Sequence, residues 1–325
     1  MRMVGSQLGL AAYFTLGVAD AQTPQHPPEF RSSVEAVYVD VFVTRDGRPV
    51  AGLEASSFEL KDNGVRQSVE RVAAESVPLH AVLVFDTSSS LSGPRLRALK
   101  AAGEAFLDGL RPSDEVALVG FSEEVAWHAA STARKDAVSR ALDGIEASGA
   151  TSAFDALYAA VALAEESGRS LIVLFTDGED NSSFLGAKQL ATAVERSNAL
   201  VHAVGWRERG GTVSGSGGPS RYSGSLPGEP FARAPVESPE TDDVRALRGI
   251  AEASGGRFWE ADSPERLRRA FAAIADAMGH RYVLRYEPHG VKREGWHRLE
   301  IKLRDAKGDL QARHGYWVGS GGDAR

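Results

Sequence analysis

The run Asp86-Thr87-Ser88-Ser89-Ser90 puts one carboxylate and two hydroxyls at alternate positions, so a turning loop can aim Asp86, Ser88 and Ser90 at one point. Thr176-Asp177-Gly178 adds a second carboxylate, and Gly149-Ala150-Thr151-Ser152 adds a third hydroxyl at Thr151. This is a set of hard oxygen donors without sulfur or imidazole, which suits Mg2+, Mn2+ or Ca2+ rather than zinc or copper. Neutral hydroxyls are weak donors. If the carboxylates act mostly through water, the ion keeps positive charge and an open coordination position. A carboxylate from a partner is the natural sixth ligand. Nothing in such a site needs to activate water, so the chemistry is binding. The eight histidines are scattered without ligand spacing, in agreement with an oxygen site.

Several elements must bring these residues together. His80–Asp86 (HAVLVFD) and Leu171–Thr176 (LIVLFT) are continuous apolar runs, as expected of strands buried on both faces. Each ends in the residues of interest. Val116–Phe121, Leu200–Trp206 and Arg257–Glu260 read as further strands. Between them, helical spacing is expected at Leu96–Leu110, at Ala137–Ile145, at Phe154–Glu165 (with Phe154, Leu157, Tyr158 and Val161 on one stripe), at Lys188–Ser197 and at Val244–Ser254. A last helix starts at Ser263-Pro264, a cap followed by proline at the first helical position. Alternating strands and helices predict a parallel, doubly wound α/β sheet over residues 79–279. In such a sheet ligands bind beyond the carboxyl ends of the strands, where the winding direction reverses. Asp86 and Asp177 would meet there. Thr151, just before the helix from Phe154, reads equally as a ligand or as that helix's N-cap. Asp155, Glu179 and Asp180 read as solvated loop charges, and Trp127, Trp206 and Trp259 as core or rim packing.

The two ends of the chain have a different texture. In VEAVYVDVFVT, Val37, Val39, Val41 and Val43 alternate with Tyr38, Asp40, Phe42 and Thr44. Asp46-Gly47 marks a turn, and Asn63-Gly64 between Phe58–Asp62 and Val65–Val72 is a strong hairpin signal. Alternation returns at Tyr282, Leu284 and Tyr286, and again at Leu299, Ile301 and Leu303. Neither strand group can bury a face alone. Segments 34–76 and 281–318 are therefore expected to pack as one β-sandwich, with the α/β domain inserted between them. Residues 1–21 read as an export signal: Arg2, the apolar stretch Leu8–Ala19, and the small-x-small pattern Ala19-Asp20-Ala21. Residues 22–33 read as a linker. A periplasmic or secreted location follows as an expectation. Residues 207–242 are rich in glycine and serine and read as a flexible insertion. That insertion leaves a strand on the same edge as the metal residues. One of its acids, among Glu229, Glu237, Glu240, Asp242 and Asp243, could compete for the open position.

Asp86-x-Ser88-x-Ser90, then Thr151 before a helix, then Thr176-Asp177-Gly178, resembles the metal-ion-dependent adhesion site of von Willebrand factor type A domains. The three pieces occur in that family's order and on the expected elements. The resemblance covers about residues 79–279. It implies a six-stranded, mostly parallel sheet with helices on both faces. It also implies that Ser88, Ser90 and Thr151 contact a divalent cation, Mg2+ above all, with Asp86 and Asp177 bound directly or through water. A protein partner would offer an Asp or Glu. In related domains a shift of the last helix is tied to site affinity, which makes the helix from Pro264 a candidate lever. The flanks, Gly47-Arg48-Pro49-Val50 with Phe58–Gly64, and Gly295-Trp296-His297 with Gly315-Tyr316-Trp317, resemble the β segments of bacterial von Willebrand factor A-related exported proteins. Ala150 departs from the family's more usual Gly-Gly-Thr.

Composition narrows the alternatives. The 325 residues carry 37 basic and 44 acidic side chains, a net charge of −7, which argues against a nucleic-acid binder with a basic face. The absence of cysteine removes disulfides, thiolate zinc sites and cysteine nucleophiles. No stretch is long and apolar enough to span a bilayer as a helix. No Gly-x-Ser-x-Gly elbow is present, and Gly215-Ser216-Gly217-Gly218 lacks the Lys-Ser/Thr of a P-loop. The expected function is a non-enzymatic, metal-dependent protein-binding module. A structural domain of an envelope complex with an unused site is the alternative, and a hydrolase is a more distant one.

Overall fold

The computed structural model describes residues 36–46, 48–72, 78–166, 170–177, 180–197, 199–207 and 240–319. The export-signal and linker readings, Gly178, Glu179 and the body of the glycine-rich insertion, with Glu229 and Glu237, lie outside them.

In chain order the elements are β1 (Val37–Arg45), β2 (Arg48–Pro49), β3 (Phe58–Asp62), β4 (Val65–Gln67), β5 (Glu70–Val72) and β6 (His80–Asp86). Next come α1 (Pro94–Asp108), β7 (Glu115–Phe121), β8 (Val125–Thr132), α2 (Lys135–Asp143) and α3 (Ala153–Glu166). They are followed by β9 (Ser170–Thr176), α4 (Ala187–Arg196), β10 (Leu200–Trp206), α5 (Asp242–Ala253), β11 (Phe258–Ala261) and α6 (Pro264–Gly279). The chain ends with β12 (Tyr282–Tyr286), β13 (Gly295–Leu303), β14 (Asp309–Ala312) and β15 (Gly315–Val318).

The central sheet has six strands in the order β11-β10-β9-β6-β7-β8. All its pairings are parallel except β7–β8. Strand β8 was not evident in the sequence. Its side chains are mostly exposed, so it carries no apolar run. Helices cover both faces. Leu99, Phe106, Leu142, Phe271 and Ile274, from α1, α2 and α6, pack on one side. Leu157, Val161, Leu190, Val194, Leu247 and Ile250, from α3, α4 and α5, pack on the other. The expected α3 stripe needs one correction: Ala153, Phe154, Ala156, Leu157, Ala160 and Val161 are buried, but Tyr158 is largely exposed. Alanines fill the rows that a bulky ring would crowd, and the tyrosine turns outward.

The flanking segments form two antiparallel sheets. One runs β14-β1-β12-β5 with β2 beside β1, and the other runs β15-β13-β3-β4. The Asn63-Gly64 turn has φ of 46° and 81°, the left-handed pair that a tight I′ hairpin needs. The run after it divides, with β4 in one sheet and β5 in the other. Val39, Val41 and Val43 of β1 face Phe58, Leu60, Leu284 and Leu299 in a common core. On the opposite face, Phe42 joins the core of the α/β layer and meets the His202 ring edge-on at 6.4 Å.

His202, in β10, is buried, and its Nδ1 accepts from the Arg257 backbone N–H at 3.1 Å and from Trp259 Nε1 at 3.2 Å. Burial pushes its pKa down to about 4. Since this folded value lies below the unfolded value of about 6.5, the neutral ring's contribution is complete above pH 6.5 and is lost as pH falls toward 4. At 1.36 kcal/mol per unit the loss is of the order of 3 kcal/mol. Urea unfolding at pH 7 and at pH 4.5 should therefore show a larger acid-induced loss in the wild type than in His202→Gln. Equal losses would count against this assignment.

Candidate metal centre

Strands β6 and β9 are adjacent, and the winding direction reverses between them, since β7 and β8 extend to one side and β10 and β11 to the other. Phe85 pairs with Phe175, so Asp86 and Thr176 leave the sheet side by side. Thr176 Oγ1 donates to Asp86 Oδ2 at 2.8 Å, and the Ser88 backbone N–H donates to Asp86 Oδ1 at 2.9 Å. Ser88 Oγ lies 3.0 Å from Ser90 Oγ, and Ser90 Oγ donates to Asp177 Oδ1 at 2.8 Å. Asp86, Ser88, Ser90 and Asp177 thus form one connected network at the carboxyl end of the sheet.

Thr151 is buried and is reached through the backbone. Ser148 N donates to Thr87 O at 2.7 Å and Ser89 N to Gly149 O at 3.1 Å, tying the 148–151 loop to the serine loop. Gly149 has φ of 78°, so this position within the loop favours glycine. Thr151 N donates to Asn181 Oδ1 at 2.9 Å. Thr151 O accepts from Asn181 N and Ser182 N, both at 3.0 Å. The first amides of α3 bond elsewhere: Phe154 N donates to Asp180 Oδ2 at 2.9 Å and Asp155 N to Ser183 Oγ at 3.0 Å. The capping role offered to Thr151 falls to Asp180 and Ser183.

Asp155 and Asp180 are therefore not the solvated loop charges expected. Asp155 accepts from Phe184 N at 2.9 Å and Leu185 N at 3.0 Å, and Asp180 accepts from Ser183 N at 3.1 Å. Three acids of the insertion's end are engaged as well. Glu240 pairs with Arg248 at 2.9 Å, Asp242 pairs with Arg245 at 2.6 Å, and Asp243 accepts from Asp180 N at 3.1 Å.

The sequence also gave no warning of Arg95, in the first turn of α1. Its Nη1 lies 3.2 Å from Asp177 Oδ2 and donates to Ser90 O at 3.3 Å. The Asp177 side chain is 1% exposed and has this cation beside it. Asp86 is surrounded differently. Burial raises its pKa, hydrogen bonds from Ser88 and Thr176 oppose the rise, and the like charge of Asp177 adds to it. Among the described residues, the groups that act on Asp86 are the Ser88 and Thr176 donors and the Asp177 carboxylate. Burying a carboxylate is costly unless it is paired. The hydroxyl-rich surroundings suit a hard divalent ion. Among the described residues no group of three or more His, Asp or Glu is placed to hold a metal, so any such centre relies on hydroxyl donors.

Residues 81–179 match the sequence profile described as the von Willebrand factor type A domain. Over these residues the chain is similar to von Willebrand factor type A domains. Inter-alpha-trypsin inhibitor heavy chain H4 of Bos taurus is 31% identical over 146 residues, 41% of this chain and 16% of that protein. A UPF0353 protein of Mycolicibacterium paratuberculosis is 24% identical over 230 residues, 64% of this chain and 63% of that one. The chain spans less than two thirds of either relative. Among solved structures, a von Willebrand factor type A protein from Catenulispora acidiphila aligns at TM-score 0.49 and 16% identity, covering 84% of this chain and 76% of that one. A conserved hypothetical protein, BatB, from Bacteroides thetaiotaomicron aligns at 0.44 and 20%, covering 62% and 98%. Type A domains commonly mediate protein–protein interaction. Arg95 and Asn181, which the sequence reading missed, and Asp180, which it read as a solvated charge, hold backbone or charge around the five expected ligands. No helix among the described residues is long and apolar enough to cross a membrane.

Proposed function

We propose that this α/β domain binds a partner protein through a divalent cation, Mg2+ above all, held by Ser88, Ser90 and Thr151 with Asp86 and Asp177. The connected Asp86–Ser88–Ser90–Asp177 network at the β6/β9 switch point carries this reading. The bound cation would supply Lewis acidity toward a carboxylate. The protein's part is to hold hydroxyl oxygens in place and to keep Asp86 buried. Ser88 and Ser90 pair with each other and with Asp177. Among the described residues neither serine is hydrogen-bonded to a histidine or lysine that could serve as a general base, which favours binding over hydrolysis. An Asp or Glu of the partner would complete the coordination and anchor the complex, and the surrounding loops would supply specificity. Export rests on the sequence pattern of residues 1–21.

Mn2+ titration followed by electron paramagnetic resonance tests the centre. One bound ion per chain is expected, displaced by Mg2+ and removed by EDTA. The Ser88→Ala/Ser90→Ala double variant should lose it while keeping the wild-type far-UV circular dichroism. A wild-type chain that binds no Mn2+ would overturn the reading.

A further inference from the structure

The loop between β9 and α4 exposes Phe184 almost completely, at 97%. Scattered apolar surface residues are ordinary, but this one sits on a stretch, residues 180–186, held by a series of hydrogen bonds. Asp155 takes the amides of Phe184 and Leu185, and Asp180 takes both the amide and the hydroxyl of Ser183. Gln189 Oε1 accepts from Gly186 N. The same loop grips Thr151 through Asn181 and Ser182. Phe184 and a proposed cation ligand therefore belong to one hydrogen-bonded unit. Phe184 follows Asn181 by three positions, so their Cα atoms lie within about 11 Å. Tyr158, also exposed, follows Asp155 by three residues on α3 and so neighbours it on the helix surface.

A rigid loop loses little entropy on binding, and an aromatic held out on it is well suited to be a contact anchor. We propose that Phe184 is an apolar docking point on the loop that holds Thr151. The occupant is an extended partner segment that carries an Asp or Glu and, about two to four residues away, a large apolar side chain. An extended chain covers the roughly 11 Å between Phe184 and Asn181, the residue that holds Thr151, in about three residues. The inference rests on the cation-dependent reading above for its acidic half only; the aromatic half is tested separately.

Phage-displayed random peptides selected on the full chain in Mg2+ provide the probe. Enriched peptides should pair an acidic residue with a nearby aromatic or aliphatic one. Phe184→Ala should weaken them at least tenfold, and Phe184→Leu should do so much less. Both variants should keep wild-type Mn2+ affinity and melting temperature, since the removed ring touches solvent. Peptides that lack the apolar residue, or that bind Phe184→Ala as tightly as wild type, would overturn the docking point. Binding that survives EDTA would overturn the cation reading instead, and the comparison of Phe184 variants would still decide the aromatic contact.

Discussion

Asp62→Ala is expected to lower the free energy of unfolding by about 3–5 kcal/mol, the range for removing one partner of a buried charged network. Asp62 is fully buried in β3. Its Oδ2 accepts from Tyr286 Oη at 2.9 Å and from Tyr316 Oη at 2.8 Å, and its Oδ1 lies 2.9 Å from His297 Nδ1. Tyr286 belongs to β12 in one sheet of the sandwich, while Tyr316 and His297 belong to β15 and β13 in the other. One carboxylate therefore ties the two sheets together. Burial raises the pKa of both tyrosines, which keeps their hydroxyls as donors. Truncating Asp62 leaves three buried polar groups without this acceptor, each costing roughly 1–3 kcal/mol if nothing replaces it. Asp62→Asn keeps the shape and one acceptor oxygen and should fall between the two. Urea unfolding of the three proteins provides the measurement. A loss below about 1 kcal/mol for Asp62→Ala would show that the network carries little stability.

This cluster also marks the limit of what the sequence conveys. Asp62 reads as the last residue before an Asn-Gly turn, and nothing local says that tyrosines 224 and 254 residues away will meet it. His297 and Tyr316 stood out only as parts of the patterns Gly295-Trp296-His297 and Gly315-Tyr316-Trp317. Their pairing across β13 and β15, with rings stacked at 4.6 Å, supplies a reason for them. Gly315 has one too: a Cβ there would lie 2.3 Å from the Trp296 ring. By contrast, β6, β9 and β10 were legible because strands buried on both faces must be continuously apolar. The α-helices were legible because each buries one stripe. Strand β8 was not, since an edge strand with a wet surface has no such constraint. Phe42 looked like the outward phase of an alternating strand, but a second layer covers that face. At the candidate centre the oxygen-bearing residues could be picked out because they cluster at strand ends. Arg95 and Asn181 could not, and neither could the capping role of Asp180, because these roles depend on loops meeting in space.

Asp86→Asn is expected to abolish stabilisation by Mg2+ while leaving the metal-free fold as stable as wild type, or more so. Among the described residues, Arg95 lies against Asp177, whereas the groups that act on Asp86 are the Ser88 and Thr176 donors and the like charge of Asp177. The Asp86 charge is the one proposed to attract an ion. The amide is nearly isosteric. Its oxygen can still accept from Ser88 N, and its NH2 can donate to Thr176 Oγ1, so neither neighbour of Asp86 loses its partner. The substitution removes a buried charge and its repulsion by Asp177, both of which disfavour the ionised carboxylate in the folded chain. Against this, a wild-type chain saturated at a hundred times its dissociation constant should gain about 2.7 kcal/mol from the ion. Melting curves with Mg2+ and with EDTA separate the two effects. Wild type should show a shift on adding Mg2+ and the variant none, with the variant's EDTA curve at or above that of wild type. A Mg2+ shift of equal size in both proteins would place the ion elsewhere. A variant that melts well below wild type in EDTA would mean that Asp86 serves the fold rather than a ligand. The expected pattern, in which the residue costs stability until a cation arrives, is the usual sign of a carboxylate kept for binding.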